Sequence, residues 1–237
     1  MARQVRSEVT RRKILKAAID VFGEVGYAAA GWGTIIDRTG MTKGALYHHF
    51  DSKESLASAI IEEGAETLLN GFRNVCGNAS PGLENLLHGT FTIIGMLGSD
   101  ETARAAEQLT CTLRGFNEAA GQFCAAMVEQ LAGEARRAIA EGDLRPDLDP
   151  GEVSESIFGA MFGTRALADA IAGLGPRAEA GATGDVERLI RVWELLLPGI
   201  VSEASLPYFR QFLSREAMRH SRPVAPRRDV TPVSETG

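Results

Sequence analysis

No run in this 237-residue chain approaches the ~18–20 consecutive apolar residues that a membrane helix needs. The basic start also lacks the apolar segment and cleavage site of a secretory leader. Both absences point to a cytoplasmic protein with no membrane partner. Cysteine is scarce: Cys76, Cys111 and Cys124 are odd in number, widely spaced and without a CxxC pair. That excludes a disulfide frame and leaves reduced thiols. The four histidines, His48, His49, His88 and His220, make no zinc-type spacing with these cysteines, so neither a metal nor a cofactor is expected. A nucleophile with a neighbouring base and a phosphate-cradling glycine loop are missing too, which argues against an enzyme. His88 stands alone on its helix, and Glu62-Glu63 reads as solvated surface. No alternating strand pattern of useful length occurs, so the fold class is all-α.

What is present is a segment from Gly26 to Lys53 that reads as short helix, tight turn, short helix and exit. Gly40 breaks the first helix, and Thr42 is placed to cap the second by accepting from a backbone N–H one turn on. Helical spacing sends Met41, Ala45, Leu46 and Phe50 toward a small core. Lys43, Gly44, Tyr47 and His48 fall on the other side. A glycine inside a helix costs about 1 kcal/mol relative to alanine. Either packing or close approach of the helix backbone to another molecule explains Gly44, and a DNA major groove admits a helix. Ser52 then caps the next helix, with Lys53 just behind it. This is the layout of a helix-turn-helix DNA reader.

The charge distribution agrees. The net charge is -6, yet residues 1–55 hold nine Lys and Arg against six Asp and Glu. A basic head on an acidic body favours one docking face toward phosphates. Ahead of the segment, Ile14, Ala18, Val21, Phe22 and Val25 follow helical spacing from about Glu8 to Glu24. Arg3 and Arg6 at its amino end are candidates for phosphate or minor-groove contact. The second helix, near Gly33–Thr39, begins Gly31-Trp32-Gly33 with no hydroxyl to cap it, and Trp32 is expected in the head core. A long helix leaves the head from Lys53 to about Asn74. Gly77–Gly82 is a loop by its turn chemistry. Further helical windows follow at 83–97, 102–115, 117–142, 150–172, 185–200 and 206–220. Gly173–Gly184 reads as a mobile loop, and the proline-containing end from Ser221 as disordered.

The stretch TKGALYHHFDSKESLASAI closely resembles the recognition-helix region of the tetracycline-repressor (TetR) family of bacterial regulators. The start, MARQVRSEVTRRKILKAAIDVFGEVGY, with TKGALY and HF-x-SKE, looks like the branch of γ-butyrolactone autoregulator receptors. The specific match covers about residues 1–65. The resemblance implies a three-helix DNA-binding head over 1–52, a larger helical effector-binding and dimerisation domain over 53–220, and a tail over 221–237. It implies a homodimeric repressor on a palindromic double-stranded operator, released by a small hydrophobic effector. Lys43 and Tyr47 would reach base edges or nearby phosphates, with Gly44 allowing approach. Thr42, His49 and Lys53 would position the backbone; His48 stands where the branch usually has Phe.

In the larger domain the windows 150–172 and 185–200 are broadly apolar, and the corresponding helices of the family pair across a dimer. Phe158, Trp193, Leu196 and Leu197 are the interface candidates. Phe91, Ile94, Leu113, Phe116, Phe123, Met127, Met161 and Phe162 are candidates for an apolar pocket, although the same residue types build any core. Gly163-Thr164-Arg165 looks like the branch's Gly-Thr-Arg, whose Thr hydroxyl can hydrogen-bond a lactone. The branch's pocket tryptophan has no counterpart in 117–140, and Met127 sits nearest its place. A different effector, or a regulator with none, therefore stands beside the butyrolactone reading, and an all-α enzyme behind both.

Overall fold

The computed structural model describes residues 2–77, 80–172 and 182–220. Ten helices occur among them: α1 (Ala2–Ala29), α2 (Trp32–Thr39), α3 (Lys43–His49), α4 (Lys53–Val75), α5 (Gly82–Ser99), α6 (Glu101–Leu113), α7 (Glu118–Ala140), α8 (Pro150–Ala172), α9 (Ala182–Ile200) and α10 (Leu206–His220). The fold is all-α, its one β feature among the described residues being an isolated antiparallel bridge, Leu144 to Val201. Two expected segments, 173–181 within the Gly- and Ala-rich loop and the end from Ser221, lie outside the described residues.

Helix α1 is longer than its periodic stretch. It starts at Ala2, because nothing in 2–8 breaks a helix, and bends at Gly26, whose φ of 79 only glycine takes readily. Ile14, Ala18, Val21 and Phe22 are buried, while Val25 at the end of that face stays exposed. The turn into α3 closes on Gly40, in the left-handed conformation with its N–H donating to Asp37 O. Buried Thr39 clamps the same turn, donating to Ile36 O at 2.7 Å and accepting from Met41 N at 3.1 Å. α2 starts on Gly31 without a side-chain cap, as its sequence implies. Thr42 caps α3, accepting from Ala45 N, and Ser52 with Ser55 forms a capping box on α4.

The head is tied to the rest through α1. Arg11 pairs with Glu63 of α4, and Lys16 reaches Glu101 of α6 at 2.7 Å. α4 carries Leu56, Ile60, Ala65, Leu68, Leu69 and Phe72 into the core and packs most tightly on α6. There Gly64 is required by space: a Cβ would lie 2.3 Å from the Ala106 Cβ and 2.8 Å from the Thr102 carbonyl oxygen. No helix of the described residues is long and apolar enough to cross a membrane.

Candidate nucleic-acid interface and the helical body

α3 buries one side and leaves the other open. Leu46 is fully buried and Phe50 nearly so, with Met41 and Ala45 partly covered. On the opposite side Thr42, Lys43, Gly44, Tyr47 and His48 are exposed. A Cβ built on Gly44 meets nothing within 4 Å, so this glycine has no packing reason. Lys43 Nζ lies 5.6 Å from the centre of the Tyr47 ring, one turn on, and Trp32 leans on the other flank of that ring at 5.5 Å. Trp32 is half-buried, its Nε1 shielded and without a partner among the described residues. It packs against the core with part of its ring, as expected, and leans with the rest on Tyr47. His48 and His49 meet edge to face at 5.5 Å. The Thr42 oxygen is already the cap of its helix, accepting at 3.3 Å.

Lys53 departs from expectation. Its ammonium donates to the carbonyl oxygens of Tyr27 (2.8 Å), Ala30 (3.1 Å) and Ala28 (3.4 Å) and sits 4.5 Å above the Tyr27 ring. All three ammonium donors are used inside the head, so Lys53 is a clasp between α4 and the α1–α2 bend, not a free phosphate contact. The side chains of Arg3 and Arg6 lie outside the described residues.

In the body, Phe123, Met127, Met161 and Phe162 are buried together. Phe162 packs 4.4 Å from Phe158 and 6.1 Å from Phe123. Phe91 belongs elsewhere, stacked on His220 of α10 at 5.3 Å. Ile94 is buried in the same core and Leu113 half-covered. Phe116 is 88% exposed on the turn between α6 and α7, so it joins no pocket. The chain turns outward there through Gly115 (φ 83), and Asn117 takes the cap of α7. Thr164 spends its proton on its own helix, donating to Ala160 O at 2.7 Å. A concavity of about 430 Å³ lies in a different place, between α9 and α10, lined by Ile190, Leu197 and Leu213 with Glu194 and Arg210.

Two of the interface candidates also move inward. Trp193 is fully buried, and its Nε1 donates to Thr90 Oγ1 at 2.9 Å. A buried indole N–H needs such a partner, which fixes this side in the protomer's own core with Leu197. Phe158 and Leu196 are half-buried. The apolar residues left outside on these helices are Leu167 and Ile171 of α8, each 60% exposed, and Leu195 of α9, 81% exposed.

Sequence spacing missed two groupings. Arg165, the last residue of Gly-Thr-Arg, is buried with its guanidinium forked onto Glu107 of α6 at 3.3 and 3.4 Å. It also pairs with Asp185 of α9, which Arg188 holds from its far side. Burial pushes the Glu107 carboxyl up, and Arg165 pulls it part of the way back. The same burial, then Glu107, raises the Cys111 thiol. The second grouping joins His88 of α5 to Glu216 and His220 of α10. Partners 58 and 128 residues apart carry no local signal.

Residues 14–60 match the family described as "Bacterial regulatory proteins, tetR family". The chain is 30% identical over 213 residues to the A-factor receptor protein of Streptomyces griseus, covering 89% of this chain and 70% of the relative. It belongs to the TetR family. Its place there is the γ-butyrolactone-receptor branch. Among solved structures it is similar to a gamma-butyrolactone receptor (ArpA-like protein), with a TM-score of 0.73, 26% identity, and 90% and 99% of the two chains covered. It is also similar to CprB from Streptomyces coelicolor in complex with its operator, with a TM-score of 0.70, 25% identity, and 91% and 98% covered. This TetR-family chain is thus a transcriptional regulator, built on a helix-turn-helix head and a helical carboxyl-terminal part.

Proposed function

We propose that this regulator is a homodimeric repressor whose two α3 helices read a two-fold symmetric operator. The observation that carries the reading is the outward side of α3. Lys43, Gly44, Tyr47 and His48 are exposed, and the space over Gly44 is open where internal packing would have filled it. Lys43 and Tyr47 reach base edges or adjacent phosphates, and Thr42 and His49 set the register on the backbone. Residues 1–52 act as the head and 53–220 as the effector and dimer part. Two heads must sit about 34–36 Å apart to meet successive half-sites. The exposed Leu167, Ile171 and Leu195 support pairing of α8 and α9 with a second copy. Release follows when a small apolar effector binds the wrong head spacing more tightly than the right one, since only differential affinity shifts such an equilibrium. No catalysis is assigned, and the compartment is the cytoplasm, where the operator is.

Selecting bound fragments from random DNA tests this directly. A two-fold symmetric motif is expected; an asymmetric motif, or no enrichment, would sink the reading.

A second reading has its own support. Met127 is fully buried where the branch has a tryptophan, and the rings of Phe123, Phe158 and Phe162 fill the space beside it. A regulator with another effector, or none, fits a buried thioether in place of an indole. Titrating a γ-butyrolactone series against the protein–operator complex decides between the two: dissociation supports the lactone, and its absence across the series supports the alternative.

A further inference from the structure

We infer that His88, Glu216 and His220 form a site for a divalent transition metal of zinc type, joining α5 to α10. Glu216 is 1% exposed, so its carboxylate must find partners inside the protein. One oxygen, Oε2, lies 2.8 Å from His88 Nδ1, and Oε1 is held by Arg219 at 2.6 Å. His220 follows one helical turn after Glu216 and brings its Nε2 within 3.5 Å of the same Oε2. That approach is long for a hydrogen bond, and His220 Nε2 is shielded and has no well-aligned hydrogen-bond partner among the described residues. The His220 ring is held in place against Phe91, 5.3 Å away and inclined by 27°.

Hydrogen bonding alone accounts for His88, Glu216 and Arg219 but leaves the His220 nitrogen bare. An ion accounts for all of it. The candidate ligand atoms lie within 4.8 Å of one another. A tetrahedral ion about 2.0–2.1 Å from each ligand separates them by roughly 3.3 Å; the two imidazole-to-carboxylate separations, 2.8 and 3.5 Å, bracket that value, and the two ring nitrogens lie within 4.8 Å of each other. Two imidazoles and one carboxylate leave a fourth position for water, as in zinc sites with three protein ligands. A concavity of about 210 Å³ opens on the His88 and Glu216 side of the cluster, lined also by Asn85, Glu84, Arg215 and Arg219 but not by His220. The nearby cations oppose an ion less than their number implies. Arg219 is paired with Glu216, Arg215 lies over the Tyr208 and Phe212 rings, and Glu84 adds a carboxylate on the same wall.

The test uses the full chain, stripped with a chelator and titrated with Zn²⁺ against a chromophoric competitor. One ion per chain is expected, with a melting temperature that rises with zinc concentration by mass action. Magnesium should not compete, because imidazoles suit zinc and not magnesium. His88→Gln and His220→Gln, checked for folding by circular dichroism, should each bind at least about 100-fold more weakly, beyond the losses typical of outer-shell changes. Cobalt(II) in place of zinc should give the intense visible absorption of a tetrahedral N/O site without a thiolate charge-transfer band. No binding, equal binding by both folded variants, or a thiolate band marking a cysteine such as Cys76 would each overturn the assignment. None of these outcomes bears on operator recognition, which uses the other end of the chain.

Discussion

Two short motifs of this chain resemble the same family, and the structure treats them in opposite ways. In α3, Thr42, Lys43, Gly44, Tyr47 and His48 lie on the surface, with the cation and phenol turned outward. In α8, the Gly163-Thr164-Arg165 motif sends its last residue inward: Thr164 bonds its own helix, and buried Arg165 is the hub of an ion cluster joining α6, α8 and α9. The lesson is that likeness of sequence marks a position under constraint without saying which constraint. On α3 the exposed residues face outward, where the proposed operator would dock. On α8 the constraint is at least as much internal, because a buried guanidinium and two carboxylates hold three helices together.

Breaking the inward motif should have the largest effect. Arg165→Met leaves Glu107 buried without its cation, which typically costs about 3–5 kcal/mol. The pH dependence follows from the raised Glu107 carboxyl. Removing Arg165 takes away the main pull downward, so the folded variant binds a proton still more tightly than the unfolded chain does. Its deficit relative to wild type should be small at low pH, below the ordinary value near 4.5, and grow as pH rises through the folded value. Denaturant unfolding of both proteins across that range checks the sign; a deficit independent of pH removes Glu107 from the explanation.

The proposed dimer surface comes next. Leu195→Glu places a charge among the exposed apolar residues of α8 and α9 and should weaken self-association by at least about 2 kcal/mol, roughly 30-fold. Sedimentation at graded concentration reads this. Trp193→Phe, by contrast, should leave assembly intact and lower stability only, since its indole serves Thr90 inside one protomer. Dissociation by Trp193→Phe would return that residue to the interface. On the outward motif, Lys43→Ala and Tyr47→Ala should each cost about 1–3 kcal/mol of operator affinity, roughly 5- to 150-fold, at unchanged melting temperature.

Much of the fold and of the reading face is legible in the amino-acid sequence alone. Helical period places Leu46, Leu56, Ile60, Leu68 and Phe72 inside, and the caps Thr42 and Ser52 mark where α3 and α4 begin. What local pattern does not show is where a long polar side chain finds its partner. Lys53 reads as a surface cation, yet it folds back on carbonyls 23 to 26 residues earlier. Nor does an apolar side chain declare its burial when both sides of its helix are apolar. On α9, Trp193 and Leu197 are one turn apart and face inward, while Leu195 between them faces out.

The smallest expected effect separates the two motifs most cleanly. Gly44→Ala adds a single methyl in the first turn of α3, where alanine is favoured over glycine by less than the helix-interior difference of about 1 kcal/mol. Nothing inside the protein opposes it, since a Cβ there has open space for 4 Å around. The free protein should therefore become slightly more stable, with a melting temperature raised by a few degrees at most. In the proposed complex, the same methyl stands between the α3 backbone and the groove. Affinity should fall as stability rises, two changes of opposite sign from one atom group. If both rise together, Gly44 does not meet DNA, and α3 must dock by another side. At Gly64 the sign reverses inside the protein: the methyl meets Ala106 at 2.3 Å, so folding suffers before any partner is present. Measuring both variants by thermal unfolding and by operator titration distinguishes a glycine kept for a neighbour from one kept for a partner.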